Sequence, residues 1–131
     1  NQSFYESITR RGGRVMPVPV YRWGLPEDVG PLEDGIRGTV AGNFDLLLFT
    51  SAHQLTNVLA VAERLKLGEA WRRAAGECLL GSVGPTASAA LRGAGLRVDV
   101  EPDHPKMGAL VREALAAAIS RTQPPSSREA P

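Results

Sequence analysis

The sequence predicts an α/β fold, a mostly parallel sheet with helices on both faces. Two apolar runs carry that expectation, DLLLFT at 45–50 and CLLGSV at 78–83. Neither alternates polar with apolar residues, which is the pattern of a strand covered on both sides. Segments with apolar residues at helical spacing lie before, between and after these runs. Strands and helices therefore alternate along the chain.

Each element follows from local chemistry. Residues 1–11 place Phe4 and Ile8 one helical turn apart, and Gly12-Gly13 ends that helix. Residues 15–21 (VMPVPVY) are extended, and Pro17 and Pro19 share strand parity, so both missing N–H groups lie on one edge. That suits an edge strand or a connector and excludes a fully paired central strand. After a loop at 26–31, Leu32, Ile36 and Val40 step along a helix that Gly35 and Gly38 each weaken by about 1 kcal/mol relative to alanine. Gly42-Asn43 closes it, and the 45–50 strand follows.

Ser51 can cap the next helix, striped by Leu55, Val58, Leu59, Ala62 and Leu65. A short helix at 69–75 leads to the 78–83 strand. Gly84-Pro85 then turns into a helix with Pro85 at its first position and Ala87, Ala90, Leu91 and Ala94 facing inward. Gly93 and Gly95 stop that helix, and residues 96–100 read as a third strand. Met107, Leu110, Val111, Ala114, Leu115 and Ala118 stripe the last helix, and from Thr122 the sequence TQPPSSREAP reads as a solvated tail. Three core strands are few, because small doubly wound sheets have about five. Either strands are borrowed or opening ones are missing. The chain begins at Asn1 rather than Met and enters helix at once, so it reads as a piece of something longer.

Composition narrows the function. The 131 residues hold 15 Lys+Arg against 14 Asp+Glu, spread along the chain, which argues against a nucleic-acid face. No apolar run approaches the roughly 18 to 20 residues that span a bilayer. One cysteine, Cys78, excludes an internal disulfide framework, and with His53 and His104 it does not make a typical zinc site, so no metal is expected. No signal peptide opens the chain, and a cytoplasmic setting is expected.

In open parallel sheets ligands bind beyond the carboxyl ends of the strands. Three such junctions are readable: Phe49-Thr50-Ser51-Ala52, Val83-Gly84-Pro85-Thr86 and His104-Pro105-Lys106-Met107. Each offers first-turn N–H groups at the positive end of a helix dipole, and together they form a candidate cradle for carboxylate or phosphate. The plainer reading of Ser51 and Thr86 is ordinary helix capping. Residues 81–85 have neither the dinucleotide glycine spacing nor a P-loop lysine, which argues against nucleotide binding.

Other candidates have bland readings beside sharp ones. Tyr21 could donate a proton in a cleft, since a phenol stays neutral at pH 7. By residue physics alone it pairs with Trp23 to cover a core edge. His53, just inside a helix start, could meet a bound anion or simply face water. Lys106 is one of two lysines beside thirteen arginines, and its place at a helix start is unfavourable for the dipole, a cost that an anion would relieve. Cys78 reads as a small buried hydrophobe.

Four blocks, RRGGRVMPVPVYRWGLPED, DLLLFTSAHQ, SVGPTASAALRGAGLRVDVEP and HPKMGALVREAL, stand in this order. In order and spacing they resemble the uroporphyrinogen-III synthase family, over nearly everything from residue 1 to about residue 120. The resemblance implies a lyase of tetrapyrrole biosynthesis. Such an enzyme closes hydroxymethylbilane into uroporphyrinogen III with inversion of the last pyrrole and loss of water. It implies no cofactor, a linear tetrapyrrole polycarboxylate as substrate, no nucleic-acid or membrane partner, and a monomer at full length.

The family fold it implies is two α/β domains, one inserted in the other, with the substrate between them. Residues 1–13 would be the closing helix of the inserted domain and 14–22 the returning connector strand. Residues 23–120 would be most of a flavodoxin-like lobe lacking its opening strands, and 121–131 a disordered tail. Thr50, Ser51 and Ala52 match the family's FTS-type turn, and Gly84, Pro85 and Thr86 match its GPT turn, as substrate-binding segments. Tyr21 falls on the connector tyrosine, where a phenol can assist loss of the hydroxyl as water. His53 and Lys106 are secondary contacts that no motif assures. The competing expectation is a synthase-like module that binds an anionic ligand or a partner without catalysis, and this chain alone is expected to be inactive.

Overall fold

The computed structural model describes residues 2–18 and 24–122. Along them run α1 (Gln2–Arg10), α2 (Gly30–Val40), β1 (Leu46–Phe49), α3 (Ala52–Arg64), α4 (Gly68–Glu77), β2 (Leu79–Ser82), α5 (Pro85–Gly93) and α6 (Met107–Thr122). β1 and β2 pair in parallel, from Leu46 opposite Leu79 to Phe49 opposite Ser82. The two continuous apolar runs are thus the two strands, placed side by side by the α3–α4 crossover.

The two faces of this sheet bury different partners. Leu80 and Phe49 join one cluster with Ile36, Leu55, Val61, Trp71, Ala75 and Leu91, drawn from α2 to α5. Full burial of a leucine such as Leu80 or Leu91, both 0% exposed, contributes about 1.5–3 kcal/mol. The opposite face meets α6. A Cβ built on Gly81 would lie 2.6 Å from Leu48 Cδ2 and 3.0 Å from Leu110 Cδ1, so glycine lets α6 approach β2 closely.

Three expectations change. The third strand, expected at 96–100, is reduced to one parallel bridge between Gly81 and Val100. Val100 donates to the Leu80 carbonyl (3.2 Å) and accepts from the Ser82 N–H (2.8 Å). A parallel ladder would next use residues 98 and 102. Pro102 has no N–H to give. At the other end the Leu80 N–H goes to Asp99 Oδ2 (2.8 Å), and the Cys78 carbonyl accepts from Arg97 Nη2 (3.1 Å). Side chains have taken the places of ladder bonds.

The second change concerns α6. Leu110 and Ala114 are buried, but Met107, Val111 and Leu115 of the expected inward stripe are exposed, as is Ile119. Among the described residues, the sheet is what α6 rests on, and a helix against one surface buries a single narrow stripe. The helix also runs to Thr122, two residues past the expected start of the tail at 121, and residues 123–131 lie outside the described residues. The third is the connector strand at 14–22. Its described part, 14–18, forms no strand and exposes Met16 and Val18, while 19–22 lie outside the described residues. α1 buries no residue of its own.

α3 ends without the glycine that usually makes such a stop. Lys66 takes φ 59°, and the Leu67 N–H then reaches back to the Ala62 carbonyl at 2.8 Å. A lysine in the left-handed region is strained by its Cβ.

Candidate functional site

β1 delivers the chain to α3 through Thr50 and Ser51. Ser51 is extended and its Oγ accepts from the Gln54 N–H at 3.3 Å, so the plain capping reading of Ser51 holds. The Gln54 amide reaches back in turn. Its Oε1 accepts from the Thr50 N–H (2.8 Å), and its Nε2 donates to Thr50 Oγ1 (2.9 Å). This is a capping box shifted by one residue, and it fixes the Thr50 side chain.

β2 delivers the chain to α5 through Val83 and Gly84. No side chain caps α5, and Pro85 occupies its first turn. Thr86 therefore lies inside the first turn and is not the cap, contrary to the plain reading of this residue. Its side chain is exposed. The Thr86 and Ala87 N–H groups have no carbonyl four residues back within the helix. Beneath the turn, Ser82 Oγ accepts from the Gly84 N–H (3.3 Å) and donates to the Gly84 carbonyl (2.8 Å). A Cβ on Gly84 would come 3.1 Å from that of Pro105, so the loop before α6 packs directly on this turn.

These turns share one cleft of about 370 Å³. Thr50, Ser51, Ala52 and His53 form one wall, Val83, Gly84, Pro85, Thr86 and Ala87 another, and Pro105 closes a side. The structure thus brings together the six turn residues singled out in the sequence, with His53. Lys106 is exposed and does not line the cleft; its N–H is turned to the His104 carbonyl (2.7 Å). Tyr21 lies outside the described residues.

Electrostatics favour an anion. Two helix N-termini aim at the cleft, each equivalent to roughly half a positive charge. Among the lining residues His53 alone is ionisable, and no carboxylate is present to compete. The donors on offer are mostly backbone N–H groups, which suit carboxylate or phosphate oxygens. Among the described residues no three His, Cys, Asp or Glu side chains gather where they could share a metal ion. A second recess of about 270 Å³, between α2, β1 and α3, is lined largely by Leu32, Phe44, Leu47, Phe49, Val58 and Trp71. It has no charged group and a mostly apolar wall, so it does not compete as a chemical site.

Sequence reasoning missed four residues that hold this site in shape: Gln54, Ser82, Ser88 and Glu101. Only Gln54 left a readable signal, as the fourth residue of an S-x-x-Q pattern at 51–54. Ser88 Oγ is hydrogen-bonded to Ser82 Oγ (2.9 Å) and to the Glu101 carboxylate, a meeting that only the tertiary fold creates.

Comparison with known proteins identifies the family. The family model described as Uroporphyrinogen-III synthase HemD matches residues 1–112. A provisionally named uroporphyrinogen-III synthase from Methanothermobacter thermautotrophicus is 41% identical over 51 residues, 39% of this chain and 20% of that protein. The chain thus spans about a fifth of the length of that curated relative. No solved structure gives a significant match.

Proposed function

Because the chain belongs to the uroporphyrinogen-III synthase family, we propose that it forms part of a protein that cyclises hydroxymethylbilane to uroporphyrinogen III. The last pyrrole ring is inverted and the terminal hydroxyl leaves as water. The observation that carries this reading is the meeting of the 50–53 and 83–87 turns in one cleft with two helix N-termini and no carboxylate. The bilane bears eight carboxylates, and first-turn N–H groups are donors of the kind those carboxylates need. Catalysis then rests largely on holding a reactive chain of pyrroles in the geometry for closure. Tyr21, on the connector, donates a hydrogen bond to the departing hydroxyl. Thr50, Ser51, Ala52, Gly84, Pro85 and Thr86 bind side-chain carboxylates, and His53 adds a secondary contact. No cofactor takes part.

In this reading residues 1–13 close an inserted domain, 14–22 are the connector, and 23–120 belong to a flavodoxin-like lobe of a cytoplasmic, monomeric synthase. The edge of β1 that is unpaired among the described residues, and the exposed stripe on α6, are the surfaces that further strands and a helix of such a lobe would cover. Among the described residues, no helix is long and apolar enough to cross a membrane.

The test supplies enzymatically made hydroxymethylbilane to the parent protein and separates isomers I and III. Isomer III is expected, and isomer I alone would sink the assignment. Undiminished isomer III from a Tyr21→Phe parent would remove the role of Tyr21 while leaving the family standing. A second reading, a module that binds an anion without ring closure, is favoured by the single ionisable side chain in the cleft. It predicts tetrapyrrole binding with no isomer III.

A further inference from the structure

Beneath the 84–86 turn lie two serines that are 0% exposed, Ser82 and Ser88. Alanine would fill either position with no polar group to desolvate, and a buried hydroxyl is unfavourable unless hydrogen-bonded. Both hydroxyls are engaged. Ser82 Oγ holds the two peptides flanking Gly84, accepting from the Gly84 N–H at 3.3 Å and donating to the Gly84 carbonyl at 2.8 Å. Ser88 Oγ, on the first turn of α5, lies 2.9 Å from Ser82 Oγ and beside the Glu101 carboxylate, and shares its one hydroxyl hydrogen between these two acceptors. Glu101 sits between Val100, bridged to Gly81, and the loop whose Pro105 packs on Gly84. One chain of oxygens therefore links the end of β2, the turn, the start of α5 and the loop before α6.

We propose that Ser82, Ser88 and Glu101 are positioning residues for carboxylate binding. They fix the two peptide planes on either side of Gly84, so that the Thr86 and Ala87 N–H groups point into the cleft before a ligand arrives. The inference rests on the reading of that cleft as a carboxylate cradle. None of the three touches the ligand; they act through the turn.

The experiment uses the 131-residue chain, amide hydrogen exchange by NMR, and titration with uroporphyrin, a stable octacarboxylate tetrapyrrole. Ser88→Ala and Glu101→Ala are each expected to speed Gly84 amide exchange by about tenfold and to weaken uroporphyrin binding by about tenfold, one hydrogen bond's worth of free energy. Exchange at Val61, deep in the α3 core, should keep its rate; a purely structural loss would accelerate both sites together. Glu101→Gln, which keeps an acceptor oxygen, should restore both readouts to within about twofold. Unchanged Gly84 exchange in both alanine variants overturns the proposal. If Ser88→Ala does not fold, Glu101→Ala, at an exposed position, decides alone. Failure of the unaltered chain to bind uroporphyrin would sink the carboxylate cradle and leave Gly84 exchange to decide whether the three residues set the turn.

Discussion

Arg97 Nε lies 2.8 Å from Asp99 Oδ1, and the outer atoms of this pair finish an edge of the sheet. Arg97 Nη2 donates to the Cys78 carbonyl, just before β2, and Asp99 Oδ2 accepts from the Leu80 N–H within it, the two groups that the main chain of residue 98 would otherwise bond. As an exposed ion pair it contributes little. As a substitute for a stretch of strand it satisfies a donor on a fully buried residue, Leu80.

Removing that acceptor should therefore be costly. Asp99→Ala leaves the Leu80 N–H unpaired and is expected to lower stability by about 1–3 kcal/mol in urea denaturation. Asp99→Asn keeps an acceptor oxygen and loses only the charge, so it should fall by less than about 1 kcal/mol. Equal losses in the two variants would show that the charge, and not the hydrogen bond, matters.

Cys78 tests burial through its thiol. It is 4% exposed and hydrogen-bonded through Sγ to the Phe44 carbonyl at 3.2 Å. Burial, and next the nearby Asp45 carboxylate, push its pKa up, with Arg121 and Arg97 pulling the other way. A thiol raised in the folded state leaves stability intact below its unfolded pKa of about 8.5. Above that pH the unfolded thiol ionises while the buried one resists, so stability should fall as pH rises and stop falling above the folded-state value. Iodoacetamide labelling at pH 8 should be at least about tenfold slower in the native chain than in urea. Equal rates would place the thiol in solvent.

Lys66 offers a gain. Its φ of 59° strains a side chain that is exposed and can be dispensed with. Lys66→Gly should raise stability by about 0.5–1 kcal/mol, the relief of Cβ strain exceeding the added freedom of the unfolded chain. A lowered melting temperature would refute this account of the α3 stop.

On α6, Leu115 is 50% and Ile119 57% exposed. Replacing both with lysine should change stability by no more than about 0.5 kcal/mol, because no core contact is lost and cations suit a helix C-terminus. Binding of the neutral dye Nile red should fall in the same variant, since the apolar patch is interrupted. A large drop in stability would mean that the stripe is covered in solution.

What was legible in the sequence was local. DLLLFT and CLLGSV each state a strand by lack of alternation, fully buried in the second and half-buried in the first, and Gly84-Pro85 states a helix start. The meeting of their two turns followed from the rule that parallel strands end on one side. Residues 96–100 misled because their apolar spacing suits a strand, whereas Asp99 and Pro102 decide the outcome through a partner strand that periodicity does not reveal. The α6 stripe misled for a related reason. Six apolar positions mark a wide face, but how much of it is buried depends on what lies opposite. Ser88 and Glu101 stand thirteen residues apart and meet only because α5 and the return to Val100 fold onto the same strand end.

The make-up of the cleft has a consequence for how it can be interrogated. The Thr86 and Ala87 N–H groups belong to the main chain, so exchanging side chains leaves them in place. Alanine scanning across the turns would then return near-silent positions even if the site were fully engaged. Replacing a single amide with an ester, at Thr86 or at Ala87, deletes the donor and keeps the side chain. Backbone chemistry of that kind is the form of mutagenesis to which this cleft is sensitive.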